Sequence, residues 1–363
     1  MPFLFLVLIL LVIGLVMMFS ASYASAYYQN GDSFYYIKRQ AIFAVLGVSV
    51  MIALSYFDYH HFHKFAIPLL ILSYLLLMVV LILPAHQQVH RWIYIGTFNF
   101  QPSEIAKFAL ILIFAHLISI NFNRMKSFRY GVLPYLIIMG VDCLLLVKEP
   151  HISATVIMIL LAGTMLFIGG VQLRWFGIAF AAVGSVVAYL VIFTKDFTYA
   201  NDRLVAWLDP FTTNSNLMAD TWQTRQSLYA IGSGGLLGLG LGQSRQKYLY
   251  LPEPQNDFIF AIVCEELGFI GALIIIILFA LLVWRGISIS LKAKDKFGML
   301  FGIGLSMQIG LQVVLNIAVV TNTIPNTGIG LPFFSYGGSS LVVLLAQMGI
   351  ILSISRTSAI EKT

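Results

Sequence analysis

Charge is what this chain has least of. Lysine, arginine, aspartate and glutamate supply 10% of its 363 residues, against about a quarter in an ordinary soluble domain. With 60% of the residues hydrophobic and a mean hydropathy of +0.91, a water-soluble enzyme is excluded. Cysteine is nearly absent too. Cys143 and Cys264 both lie inside apolar stretches, which argues against a disulfide framework or a cysteine metal cluster and for core packing. The first 31 residues hold no Lys or Arg, so the run Phe3 to Phe19 lacks the basic start of a signal peptide, despite Ala24-Ser25-Ala26 after it, and reads as a retained first helix. No internal repeat of the kind found in many secondary transporters is present.

What is present is long apolar runs. A helix needs about 17 to 25 apolar residues to cross a bilayer, and ten stretches qualify: 3–22, 40–57, 65–84, 103–120, 131–147, 152–170, 174–194, 258–284, 298–321 and 339–355. The expected fold is an all-α polytopic membrane protein with about ten transmembrane helices, a single membrane-embedded domain over 1–363. An even number of spans puts both ends on one side. With the N-terminus inside, inner loops and tail hold eleven basic residues, from Lys64 to Lys362, and short outer loops hold four, Lys38, Arg39, Arg91 and Lys148. Both termini are therefore expected in the cytoplasm. The net charge of +6 follows from this loop bias and calls for no nucleic acid.

One connection is long. Residues 195–257, between spans seven and eight, form an expected extracytoplasmic loop. It holds Trp207, Trp222, Tyr229, Tyr248, Tyr250 and eleven of the chain's charged residues, a composition that argues for order rather than a loose linker. Its six glycines from Gly232 to Gly242 match neither a dinucleotide fingerprint nor a phosphate loop; they suit either a tight fold over the membrane surface or contact with a bulky ligand. A second, uncharged segment, Thr321 to Ser340, has a composition that can enter protein at membrane depth.

Charged groups in or beside apolar spans are functional candidates because each is expensive there. Glu104 and Lys107 share a helix face behind Pro102 and either neutralise each other or line a polar cavity. Lys148, Glu149 and His151 sit on the same outer side, and Asp142 lies deeper, available to pair with one of the basic groups. Asp257 precedes the eighth span. It is either part of a helix cap, a job Asn256 can do alone, or a general base at the membrane rim, with helix dipole and burial pulling its pKa in opposite directions. Of Glu265 and Glu266, at least one must face protein. His60-His61-Phe62-His63 reads as an interfacial turn rather than a metal site.

Several of these stretches resemble the family of shape, elongation, division and sporulation proteins. They are Arg91-Trp92-Ile93, Gln101-Pro102-Ser103-Glu104 with Lys107, Gln226-Ser227-Leu228 with Ile231 to Gly235, Tyr250 to Glu253 with Asp257 to Phe260, Glu265 to Gly268, Leu331 to Ser340, and Ile354-Ser355-Arg356. The run Gln243 to Asp257 and the segment Asn316 to Ser340 look more like the division and sporulation branch than the elongation branch. The chain departs from the family at Gln88-Val89-His90, and at His151 and Ser153, where an Asp and a Gly are common.

The resemblance implies a peptidoglycan glycosyltransferase that polymerises lipid II outside the bacterial cytoplasmic membrane, with part of the active site on 195–257. Asp257 matches the family's catalytic acid. Lys107, Arg91, Arg203, Arg225 and Lys247 are candidates for holding the leaving pyrophosphate; Glu104, Lys148, Glu149, Gln226, Ser227 and Ser339 are further substrate candidates. A divalent cation, Mg or Mn, suits that leaving group, and no nucleotide is required. Implied partners are a class B penicillin-binding protein and other division membrane proteins. The competing readings are an elongation-type polymerase, a lipid II flippase and a division scaffold without chemistry.

Overall fold

A computed structural model describes residues 2–83, 91–95, 98–149, 151–179, 181, 207–212 and 218–360. Eight helical segments are long and apolar enough to cross a membrane: Pro2–Asn30 (α1), Tyr35–Tyr56 (α2), Tyr59–Ile82 (containing α3, Phe62–Ile82), Pro102–Arg124 (containing α4, Pro102–Asn121), Phe128–Lys148 (a short α5, Phe128–Gly131, then α6, Leu133–Lys148), Ile259–Ser290 (α9), Lys296–Val320 (α10) and Gly338–Thr357 (within α11, Gly338–Ile360). The sixth expected span is the shorter apolar helix Ile152–Ile168 (α7). The seventh, 174–194, lies for the most part outside the described residues. Among the described residues of the long connection stands the helix Met218–Gly234 (α8).

The expectation of an all-helical chain is corrected in one place. Ile93–Ile95 (β1) and Phe98–Phe100 (β2) pair antiparallel with Ile93 opposite Phe100, just before α4. β-branched and aromatic residues flanking a two-residue connection favour a hairpin over continued coil.

Small residues let the helices approach. On α9 and α10, Gly286 faces Ser306 and Ser290 faces Gly302, so closely that a Cβ at Gly302 would lie 2.2 Å from Ser290 Oγ. Each serine hydroxyl donates to the glycine carbonyl four residues back, both at 2.8 Å, which removes its polar demand from the interface. Gly304 packs equally close to Ile111 of α4. That contact sets the relative level of two well-buried helices.

The glycine-rich part of the long connection is bonded onto a break in α9. At Gly268, φ is 68° and ψ is −172°, a backbone region essentially reserved for glycine. The gap is filled by residues 234–242: Leu239 and Gly240 N–H donate to the Glu265 and Glu266 carbonyls, and Phe269 and Ile270 N–H donate to Gly235 and Leu236. Both glutamates turn inward. Glu265 accepts from Ser244 Oγ at 2.5 Å and from Arg245 N–H at 2.9 Å. Glu266 accepts from Ser20 Oγ at 2.7 Å and pairs with Lys247 Nζ at 3.0 Å. The glycines therefore serve a tight backbone junction.

A single methyl should open this junction. A Cβ at Gly268 would stand 2.2 Å from Gly238 N, so Gly268→Ala is expected to cost about 3 kcal/mol or more in strain and displacement. Gly232→Ala, which meets nothing within 4 Å, is the control. Thermal unfolding in detergent checks the difference, and equal unfolding temperatures would contradict it.

Candidate active site

A cavity of roughly 750 Å³ opens where α4, α7 and α9 begin and α10 ends. Its walls come from α2, α4, α7, α10, α11 and the segments 253–257 and 328–338. Asp257, Glu104, Lys107 and Arg91 all line it.

Two loops hold Asp257 in place by bonding edge to edge. Tyr336 N–H donates to the Gln255 carbonyl at 2.8 Å, and Ser335 Oγ donates to the Asn256 carbonyl at 2.6 Å. Asn316, fully buried near the end of α10, donates through Nδ2 to the carbonyls of Asp257 (2.7 Å) and Ile329 (2.6 Å). Gly328, at φ +70°, gives the carboxylate room, because a Cβ there would come within 3.0 Å of Oδ2. Neither expected capping residue caps α9. Its first position is set by Phe258 without a side-chain cap, and Asn256 turns away to Glu253 at 2.8 Å.

The Asp257 carboxylate thus accepts no hydrogen bond from any described residue and faces the cavity. Burial pushes its pKa up to about 6, with Glu253 pushing the same way and Arg91 opposing. Of the two opposed effects foreseen at this position, burial prevails. Lys107 bonds Glu104 at 2.8 Å, both largely buried. The pair is both self-neutralised and part of the cavity wall. Arg39, stacked on Tyr35 with its guanidinium 4.2 Å from the ring centre, adds a cation that the motifs did not single out. His151 is on the wall as well; burial first, then the charges of Arg91 and Lys107, push its pKa down to about 3, so it stays neutral.

Other candidates lie elsewhere. Lys247 is taken up by Glu266 and by the Gly242 carbonyl at 2.7 Å, so its ammonium is a structural cation and not a pyrophosphate ligand. Arg225 is bound to the carbonyls of Pro210 and Thr212. Ser227 donates to the Val320 carbonyl at 2.8 Å, and Gln226 is buried beside it on α8. Ser339 is off the cavity wall, and Lys148 points outward. Glu149 is buried just behind the wall, where burial pushes its pKa up to about 8 and Arg91 only partly offsets it. Arg203 lies outside the described residues. Asp142 does not reach a basic partner among the described residues: both its oxygens are buried without a hydrogen bond there. Of the long connection, the described part that reaches the cavity is 253–257.

Sequence reasoning passed over Arg39, Glu253, Gln308 and Gln312, all on the wall. The signal for the two glutamines was available, since Gln308, Gln312 and Asn316 recur every four residues in an otherwise apolar span. No three His, Cys, Asp or Glu side chains among the described residues could hold a metal ion together, and Glu104 is committed to Lys107. The donor set does not fit a resident metal, and no step is derived through one.

Known proteins resemble this chain along its whole length. The family model described as a cell cycle protein, which groups FtsW, RodA and SpoVE, matches residues 1–360. Stage V sporulation protein E of Bacillus subtilis (strain 168) is 41% identical over 355 residues, covering 97% of this chain and 95% of the relative. A probable peptidoglycan glycosyltransferase FtsW of Geobacter sp. (strain M18) is 39% identical over 352 residues, covering 96% and 94%. Among solved structures, a chain from a peptidoglycan synthase complex that coordinates polymerization and crosslinking superimposes with a TM-score of 0.80 at 25% identity, covering 99% and 98%. The rod shape determining protein RodA of Thermus thermophilus gives 0.70 at 25% identity, covering 99% and 97%.

The Asp257 carboxyl should titrate near pH 6 rather than near the ordinary aspartate value of about 3.9. A carboxyl infrared band present in the parent and missing from Asp257→Asn reads this directly. Arg91→Ala should move the midpoint upward, since Arg91 stabilises the anion; a downward move would contradict the arrangement.

Proposed function

The chain belongs to the FtsW, RodA and SpoVE family of cell cycle proteins, and on that premise we propose that it is a peptidoglycan glycosyltransferase that polymerises lipid II into β-1,4 glycan strands. The observation that carries this reading is a carboxylate that accepts no hydrogen bond from the described residues, set in a cavity that Arg91, Lys107 and Arg39 also line.

Asp257 accepts the proton of the acceptor sugar's 4-hydroxyl as that oxygen forms its bond to the donor's anomeric carbon. The bond from that carbon to the diphosphate oxygen breaks on the opposite face. An α-linked donor therefore yields a β link by direct displacement. The electron pair leaves with the polyprenyl diphosphate, whose growing charge is met by Lys107, Arg91 and Arg39. A carboxyl with a pKa near 6 is mostly ionised at neutral pH and is a stronger base than an ordinary aspartate. A Mg or Mn ion belongs to this reading as a companion of the diphosphate, because such ions bind mainly through substrate phosphates and one or two carboxylates.

Septal synthesis in cell division is the finer reading, supported by relatives named FtsW and by the sporulation relative. The partner is a class B penicillin-binding protein, with other division membrane proteins around it; the likeness to a chain of a polymerising and crosslinking complex supports this. The chain acts as one multi-pass domain, with the cavity on the outer face and both termini in the cytoplasm, in keeping with the eleven basic residues assigned to inner segments.

Purified protein given lipid II in detergent, with and without its partner, should make glycan chains, and Asp257→Asn should make fewer by a factor of about 10² or more. The parent's rate should rise as pH passes upward through 6, as the carboxylate forms, and be lost below it. Equal polymer from Asp257→Asn would remove Asp257 from the mechanism. Lipid II translocation without polymer would replace the polymerase by a flippase.

A further inference from the structure

Gln308, Gln312 and Asn316 of α10 share one helix face at steps of about 6 Å. All three are at least nine-tenths buried. Asn316 Nδ2 is occupied by the carbonyls of Asp257 and Ile329, while its Oδ1 is buried without a partner among the described residues. The two glutamines line the cavity and make no hydrogen bond among the described residues, and Gln308 Oε1 is fully shielded from solvent. Gln308 stands midway along α10, at the depth where an unpartnered amide is least tolerable.

The close contact of Gly304 with Ile111 places these amides against α4. The two helices run in opposite directions, so one turn towards the cavity mouth brings Gln308 level with Lys107. A second turn brings Gln312 level with Ser103, which lies behind the wall with its Oγ buried and without a partner among the described residues. At the start of α7, His151 lines the same space, its Nδ1 buried and without a partner among the described residues. It is held neutral, as described above. The wall between Lys107 and Asp257 therefore carries uncharged groups whose free atoms, among the described residues, include an acceptor, Gln308 Oε1. Phosphate oxygens only accept and do not satisfy it. Hydroxyl and amide N–H groups do.

We propose that the Gln308–Gln312 face of α10, with His151 beside it, is the saccharide subsite of the cavity, taking the hydroxyl and acylamino groups of the sugar that carries the diphosphate. This rests on the glycosyltransferase reading and deepens it. The diphosphate is held on the α4 side by Lys107, the sugar ring lies across from it along Gln308 and Gln312, and its anomeric carbon comes within reach of an acceptor activated by Asp257.

The test uses the purified full chain with two probes, undecaprenyl diphosphate bearing its disaccharide and the same diphosphate without sugar. Gln308→Leu and Gln312→Leu are close in shape, and replacing an unpartnered buried amide by an apolar side chain should keep or raise the unfolding temperature. Each variant is expected to bind the sugar-bearing lipid about tenfold more weakly, the scale of one hydrogen bond lost with its partner left unpaired. Binding of the bare diphosphate should stay within about twofold of the parent, since no phosphate contact is removed. Unchanged binding of both probes means that the amides only face water and overturns the subsite, as does equal weakening of both. A parent that polymerises while the glutamine variants behave like it removes the subsite alone. A parent that prefers the sugar-bearing probe through these glutamines yet makes no polymer removes the glycosyltransferase reading and leaves the subsite in place.

Discussion

The arrangement depends on two adjacent buried carboxylates. Glu265 and Glu266 stand just before the break in α9, and between them they bind Ser20 of α1, the backbone of residues 244–246 and the ammonium of Lys247. Unpaired, either charge would be ruinous in an apolar bundle; removing one partner of a buried pair costs about 3–5 kcal/mol. Paired, they fasten the end of the long connection to α9, two turns from Asp257. The glycine junction at Gly238 and Gly268 is the steric counterpart, bringing backbone to backbone where no side chain fits. A helix can be broken here because residues 234–242 return the hydrogen bonds that the break releases.

Once the connection is fastened, the approach to α9 is short and held from both sides. The carbonyls of Gln255, Asn256 and Asp257 are each claimed by a donor on α10 or the 331–337 segment. On the 255–257 side all the bonding is done by main-chain carbonyls, and the Asp257 side chain is left over among the described residues. A carboxylate positioned by its main chain keeps its own oxygens available for a substrate proton, which is preorganisation of the kind a general base needs. The cavity charges follow the same logic. Glu104 balances Lys107 within the wall, so the helix tolerates a buried ammonium, while Arg91 restrains the rise in the Asp257 pKa that burial alone would produce.

Lys247 and Arg225 show where charge type misleads. Both were candidates for holding a diphosphate, and both are consumed by structure: one by Glu266, the other by the carbonyls of Pro210 and Thr212. Which cation faces a ligand depends on which carboxylate or carbonyl reaches it first, and those partners are distant in sequence. Gln308 and Gln312 are the opposite case. Their four-residue spacing was visible, but an amide in an apolar span reads equally well as a helix-packing contact until a cavity is found beside it.

By itself the sequence determined the membrane-spanning character, the position of eight apolar spans with limits off by as much as eight residues, the shared helix face of Glu104 and Lys107 and the place of Asp257 at the start of a helix. Each of these follows from local quantities, namely runs of apolar residues, residue spacing on one helix and a carboxylate beside an apolar stretch. Only the tertiary structure decided that the glycines serve the α9 break, that Asp257 faces a cavity instead of capping its helix, and that Arg39, His151 and two glutamines share its walls. Those outcomes turn on pairings between residues as far apart as Ser20 and Glu266. Burial and hydrogen-bond competition across such distances have no signature in a linear pattern.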